Sequence, residues 1–168
     1  CSLREAVIAA NTNAASGGAA GECGAGELAP TVDVISIPAG TYTLTIAPIN
    51  NALAGADPVY TFGEYTLTWN AGQGAFVATV TPDATNGDLD IMESVSLVGT
   101  DKATTIIDAG WVPSDVVNDP DVDPGSASTG ISDRVFHVVN NAVVTVAVQM
   151  SGLTVKGGRS PEITGLVN

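Results

Sequence analysis

Aromatic side chains are scarce in this chain, cations are scarcer, and long apolar runs are missing altogether. Trp, Tyr and Phe make up 5% of 168 residues, while 45% of all residues are hydrophobic. A core must therefore be built from Val, Ile, Leu and Ala. Only 5 residues are Lys or Arg against 18 Asp or Glu, a formal net charge of −13. A polyanion such as DNA or RNA, or an anionic membrane, is repelled at long range by such a surface, so nucleic acid is not an expected partner. The same field draws in cations, Ca2+ among them. No apolar run approaches the ~18 residues that a membrane span needs, and a transmembrane segment is not expected. The chain opens with neither an initiator Met nor a signal peptide, which reads as a processed product or a fragment of a longer protein.

The chain has 2 cysteines and 1 histidine, with no C-x-x-C pair, so a zinc-finger arrangement is not expected. Cys1 and Cys23 are expected to form a disulfide across a Gly/Ala-rich loop, worth about 3 kcal/mol in the loop-entropy model. Such a bridge points to an oxidising compartment. The alternatives are two unpaired small residues, or a lipidated Cys1, for which no lipobox is visible.

What the chain does contain is turn-formers and β-branched runs. Nineteen glycines and nine prolines suit repeated short strands better than a helix bundle. The opening, CSLREAVIAAN, is the exception. Ser2 and Glu5 have the spacing of a capping box, and Leu3, Val7 and Ala10, with Ala6, fall on one helical face. Asn11 and Asn13 are the expected stop. So short a helix is not stable alone and has to lie on something apolar.

Strands are expected at Val32–Ile37 and Thr41–Ile46 around the Pro38–Gly40 turn. A less regular insert at 47–87 contains a hairpin of Tyr65–Trp69 and Phe76–Val80. From Asp88 onward short β-branched runs alternate with brief polar links. Thr105–Gly110 and Leu153–Gly158 resemble each other in outline. Quasi-periodic strands with glycine corners and very short links favour the coils of a β-solenoid over a β-sandwich.

The segments CSLREAVIAAN, DVISIPAGTYTLT, GDLDI, VSLVG, TTIIDAG, DRVFHV and SGLTVKGG occur in that order. Together they resemble the CSLREA domain found at the start of many secreted bacterial proteins, which are similar to right-handed parallel β-helices of the pectin-lyase-like kind. The resemblance runs from residue 1 to about 158 and brings no catalytic motif with it. It implies an all-β fold: a right-handed parallel β-helix in a single domain, 1–168, with residues 1–13 as a capping helix. Residues 47–87 and 111–132 are longer than the compact links of that pattern, the first an insert and the second an acidic loop. The helix is then expected to cover the first coil with Leu3, Val7 and Ala10. The last coil is expected to be open to further coils or to a second copy, head to tail.

Chemistry is sparse. Asp119, Asp121 and Asp123 alternate in an acidic loop, flanked by Asp115 and Asp133, a pattern that can wrap Ca2+. Without a bidentate closing ligand, a solvated acidic loop is the competing reading. Asp88 with Asp90, or Asp108 with Arg134, are candidates for polysaccharide cleavage, against a simpler role as turn or strand-end residues. His137, inside RVFHVV, is expected to be an outward strand residue or a satisfied core group. The T-x-T runs at Thr41–Thr45, Thr66–Thr68 and Thr79–Thr81 suit solvent faces more than ice- or sugar-binding ones. Trp69 and Trp111 could stack on sugars but are expected to anchor loops. The expected function is that of a secreted, non-catalytic, self-assembling surface or matrix component, with a polysaccharide-binding or -cleaving protein as the alternative.

Overall fold

The computed structural model describes residues 1–46, 54–56, 59–62, 64–110, 134–140 and 145–158. Among the described residues, one helix, α1 (Leu3–Thr12), is followed by twelve strands, the first six being β1 (Asp33–Ile37), β2 (Gly40–Thr43), β3 (Ala54–Ala56), β4 (Val59–Phe62), β5 (Tyr65–Asn70) and β6 (Ala75–Val80). The series continues with β7 (Leu89–Ile91), β8 (Val95–Gly99), β9 (Thr105–Asp108), β10 (Phe136–Val138), β11 (Val148–Ser151) and β12 (Thr154–Lys156).

Among the described residues the strands form four small sheets. Two have three parallel strands, ordered β1-β8-β11 and β12-β9-β2, and the parallel pair β10-β7 makes a third. The fourth, β3-β4-β5-β6, is an antiparallel meander. These findings correct the expected all-β right-handed parallel β-helix, or β-solenoid. Among the described residues the parallel sheets are short and open, an antiparallel sheet stands beside them, and a helix packs against the strands, which is a mixed α/β arrangement. Short β-branched runs with glycine corners specify strands and their buried face, but carry no information on how many strands stack. The insert also holds more than a hairpin. β5 and β6 pair from Tyr65↔Val80 to Asn70↔Ala75, and β3 and β4 extend the same sheet.

Alternation along the parallel strands builds the core. Val95 and Leu97 of β8 and Ile107 of β9 point inward and are buried, joined by Leu89 and Ile91 of β7 and by Leu3 and Val7 of α1. Fully burying a side chain such as Leu97 or Ile107 is worth about 1.5–3 kcal/mol. At one corner the backbone itself is in contact. A Cβ on Gly99 would collide with the carbonyl of Gly152, and Gly152 sits at φ +63°. Only residues without a side chain fit at that crossing.

Helix α1 begins as its sequence suggests. The Ser2 hydroxyl accepts the Glu5 N–H and the Glu5 carboxylate accepts the Ser2 N–H, closing the capping box, while Asn13 ends the helix in the left-handed region at φ 53°. Leu3, Val7, Ala9 and Ala10 are buried. The helix lies against β1 and β7, and polar groups fix its position along β7. Arg4 donates to the carbonyls of Ala84 (2.7 Å) and Gly87 (2.6 Å). Asn11 donates to the Asp90 carbonyl (2.7 Å) and accepts the Met92 N–H (2.9 Å), as a neighbouring strand would. The loop after the helix is tied back by a disulfide between Cys1 and Cys23. No helix among the described residues is long and apolar enough to cross a membrane.

Candidate functional site

The sequence Asp88-Leu89-Asp90-Ile91 is a strand whose two faces differ in kind. Alternation sends Leu89 and Ile91 into the apolar core and Asp88 and Asp90 to the opposite side. Both carboxylates are nevertheless 0% exposed, because other elements close over them. β10 pairs with β7 in the register Phe136↔Leu89 and His137↔Asp90, so Phe136 packs on the core while His137 lies beside Asp90. Glu64 comes from the corner that precedes β5, and Tyr65 begins that strand.

Arg134, just ahead of β10, ties the pieces together. Its Nε donates to Asp88 Oδ2 at 2.8 Å, one Nη to the Tyr65 hydroxyl at 2.5 Å and the other to Glu64 Oε2 at 3.3 Å. The guanidinium carbon also lies 5.6 Å from the Tyr65 ring centroid, within cation–π range. His137 Nδ1 is 3.3 Å from Glu64 Oε2 and 2.9 Å from Asp90 Oδ1. The second contact lacks hydrogen-bond alignment, so among the described residues Asp90 Oδ1 has this ion-pair contact but no hydrogen bond. Asp90 Oδ2 accepts the Asp83 N–H at 2.7 Å.

Crowding carboxylates in a buried place makes their charged forms costly. Burial, then a hydrogen bond shared with Asp90 and the charges of Asp88 and Asp90, push Glu64 up to about 9. Burial likewise raises Asp88, although the Arg134 charge opposes it. At the rim, burial raises Asp83 but is outweighed by hydrogen bonds from Thr85 and Asn86, which hold it below its usual value. Glu64, Asp88, Asp90 and His137 can each offer one ligand atom within 4.8 Å of all the others. Three carboxylates and an imidazole can gather a cation, or can pass a proton among themselves.

No family model, curated protein or solved structure matches this chain.

The structure brings together only some of the residues singled out by sequence. Asp88 and Asp90 are buried in the cluster instead of being simple turn residues, and His137 is a half-buried member of it. The pairing of Asp108 with Arg134 does not form. Lys156, the register partner of Asp108, takes that carboxylate at 3.0 Å, and Arg134 goes to Asp88. Asp119, Asp121 and Asp123, their flanking Asp115 and Asp133, and Trp111 lie outside the described residues. Trp69 packs edge-on against Phe76 with ring centroids 5.2 Å apart. Thr66 and Thr79 are cross-strand partners on β5 and β6. Glu64 and Tyr65 were not legible as site residues. They lie at the start of β5, and nothing local marks them as reaching Arg134, 69 to 70 positions along the chain.

Proposed function

We propose that this chain is a non-catalytic extracellular structural module, a surface or matrix component that extends by strand addition at the edge formed by β11 and β12. One observation carries the reading. Leu97 and Ile107 are 0% exposed, yet their register partners on β11 and β12, Met150 and Val155, are 42% and 41% exposed. The apolar face that is closed one strand inward is open at the last described strand. An added strand would supply main-chain hydrogen bonds and cover both side chains.

The proposed occupant is a second copy, docked head to tail. β2 and β12 are opposite outer strands of the same parallel sheet, and neither has a further strand on its outer side among the described residues. Joining one to the other is a heterologous contact, which propagates without closing. The disulfide and the resemblance of the opening motif to secreted proteins support an extracellular setting.

Negative-stain imaging and sedimentation over a concentration series, with and without Ca2+, test this. Filaments or a ladder of oligomers are expected, and Val155→Lys should abolish them. A monomer at every concentration refutes the proposal. If that monomer releases new reducing or unsaturated ends from a panel of polysaccharides, the polysaccharide-cleaving alternative replaces it.

A further inference from the structure

The buried cluster has features that bracing alone does not explain. In each carboxylate one oxygen accepts a hydrogen bond from the protein and the other accepts none. Asp88 Oδ2 is held by Arg134, Asp90 Oδ2 by the Asp83 N–H, and Glu64 Oε2 by Arg134 and His137. Among the described residues, Asp88 Oδ1, Asp90 Oδ1 and Glu64 Oε1 are buried with no hydrogen-bond partner, and only Asp90 Oδ1 has an ion-pair contact, with His137 Nδ1 at 2.9 Å. A buried oxygen acceptor left without a donor costs about 1–3 kcal/mol, more when charged, and three such atoms in one place call for a ligand. A carboxylate with one oxygen oriented by an outer partner and the other directed inward is the usual arrangement around a bound metal.

Charge points the same way. Once a cation displaces the Glu64 proton, Glu64, Asp88 and Asp90 bring three formal negative charges and Arg134 one positive charge, leaving two negative. Including the neighbouring Asp83 and Arg4 adds one of each sign and leaves the same two. A single divalent cation neutralises that remainder.

We propose that Glu64, Asp88, Asp90 and His137 form a binding site for one first-row divalent transition ion of the zinc or manganese class, gripped between β7, β10 and the corner preceding β5. The donor set decides the class. Ca2+ prefers six to eight oxygen ligands in a roomy site, and Mg2+ keeps several of its waters. A buried set of one imidazole nitrogen and three carboxylates suits a borderline ion that accepts fewer, closer ligands. Drawing donors that span up to 4.8 Å onto bonds of ~2.0–2.2 Å needs side-chain shifts on the order of 1 Å. The ion would join the antiparallel sheet to the parallel ones at a point where apolar packing does little, because no residue of β3–β6 belongs to the main apolar core among the described residues.

The test uses the full chain stripped with a chelator and titrated calorimetrically with Zn2+, Mn2+, Ca2+ or Mg2+, each alone. One equivalent of Zn2+ or Mn2+ is expected, bound at least ~100-fold more tightly than Ca2+. Glu64→Gln and His137→Ala should each weaken that binding by roughly 100-fold, on the scale of a lost ligand or outer-shell partner, while Asp108→Asn leaves it unchanged. Should a variant fail to fold, the unaltered protein still answers. His137 is the only histidine, so its imidazole nitrogen resonances report the site directly and should shift with one equivalent of Zn2+. Imidazole signals that stay fixed, binding unaltered in both variants, or a preference for Ca2+ would each overturn the proposal.

Discussion

Replacing Arg134 with Met keeps much of the side chain's volume and removes the cation that links three elements. The Asp88 carboxylate beneath it is 0% exposed and the guanidinium side chain 20% exposed, so water cannot easily take over. Removing one partner of a buried ion pair costs about 3–5 kcal/mol, because the other charge is left uncompensated. The Tyr65 hydroxyl and Glu64 lose a donor as well. At a loss of about 4 kcal/mol and a urea dependence of about 2 kcal/mol per molar, the unfolding midpoint should fall by about 2 M.

The loss should also depend on pH, and its sign follows from Glu64 and Asp88. Both carboxyls have raised folded-state pKa values, Glu64 at about 9 against an ordinary 4.5. The folded form therefore holds more protons than the unfolded form across that window, and stability falls as pH rises through it. Without the guanidinium, which holds Asp88 down, the Asp88 value rises further, so Arg134→Met should be milder near pH 5 than near pH 8. Urea unfolding followed by circular dichroism at both pH values, with chelator present, measures this. A midpoint shift under about 0.5 M near pH 8, or an equal loss at the two pH values, would refute the reasoning.

Three further outcomes are expected. Leu3→Asp puts a charge against the core at the start of α1 and should lower the thermal midpoint markedly, with hydrogen exchange rising first in residues 3–12; an unchanged midpoint would show that the helix stabilises nothing. Gly99→Ala forces a methyl group into the Gly152 carbonyl and should destabilise by more than the ~1 kcal/mol typical of point changes, seen as a lower urea midpoint. Reducing Cys1–Cys23, with a sequence separation of 22, should cost about 3 kcal/mol in the loop-entropy model and expose the 14–30 loop to limited proteolysis.

Local chemistry wrote much of this protein openly. Ser2 and Glu5 announce the helix start because a capping box needs only a spacing of three. Val95-Ser-Leu-Val-Gly99 and Thr105-Ile-Ile-Asp108 announce strands because alternation is a property of consecutive residues. The opening cysteine and Cys23 suggested their bridge because no other cysteine was available. The β-helix expectation failed at the next level, since a short run shows which face is buried but not how many neighbours it acquires.

The buried cluster lay beyond local reading altogether. Asp88 and Asp90 look like ordinary polar residues of a half-buried strand, and Glu64 looks like a corner. Only the pairing of β7 with β10 and the approach of the corner before β5 place three carboxylates, an imidazole and a guanidinium together. Sequence by itself determined the helix, the strand faces, the acidic surface and the candidate bridge, since each depends on neighbours in the chain or on composition. Tertiary structure alone decided which charges meet, because that depends on elements brought together over some seventy residues and on the water they exclude.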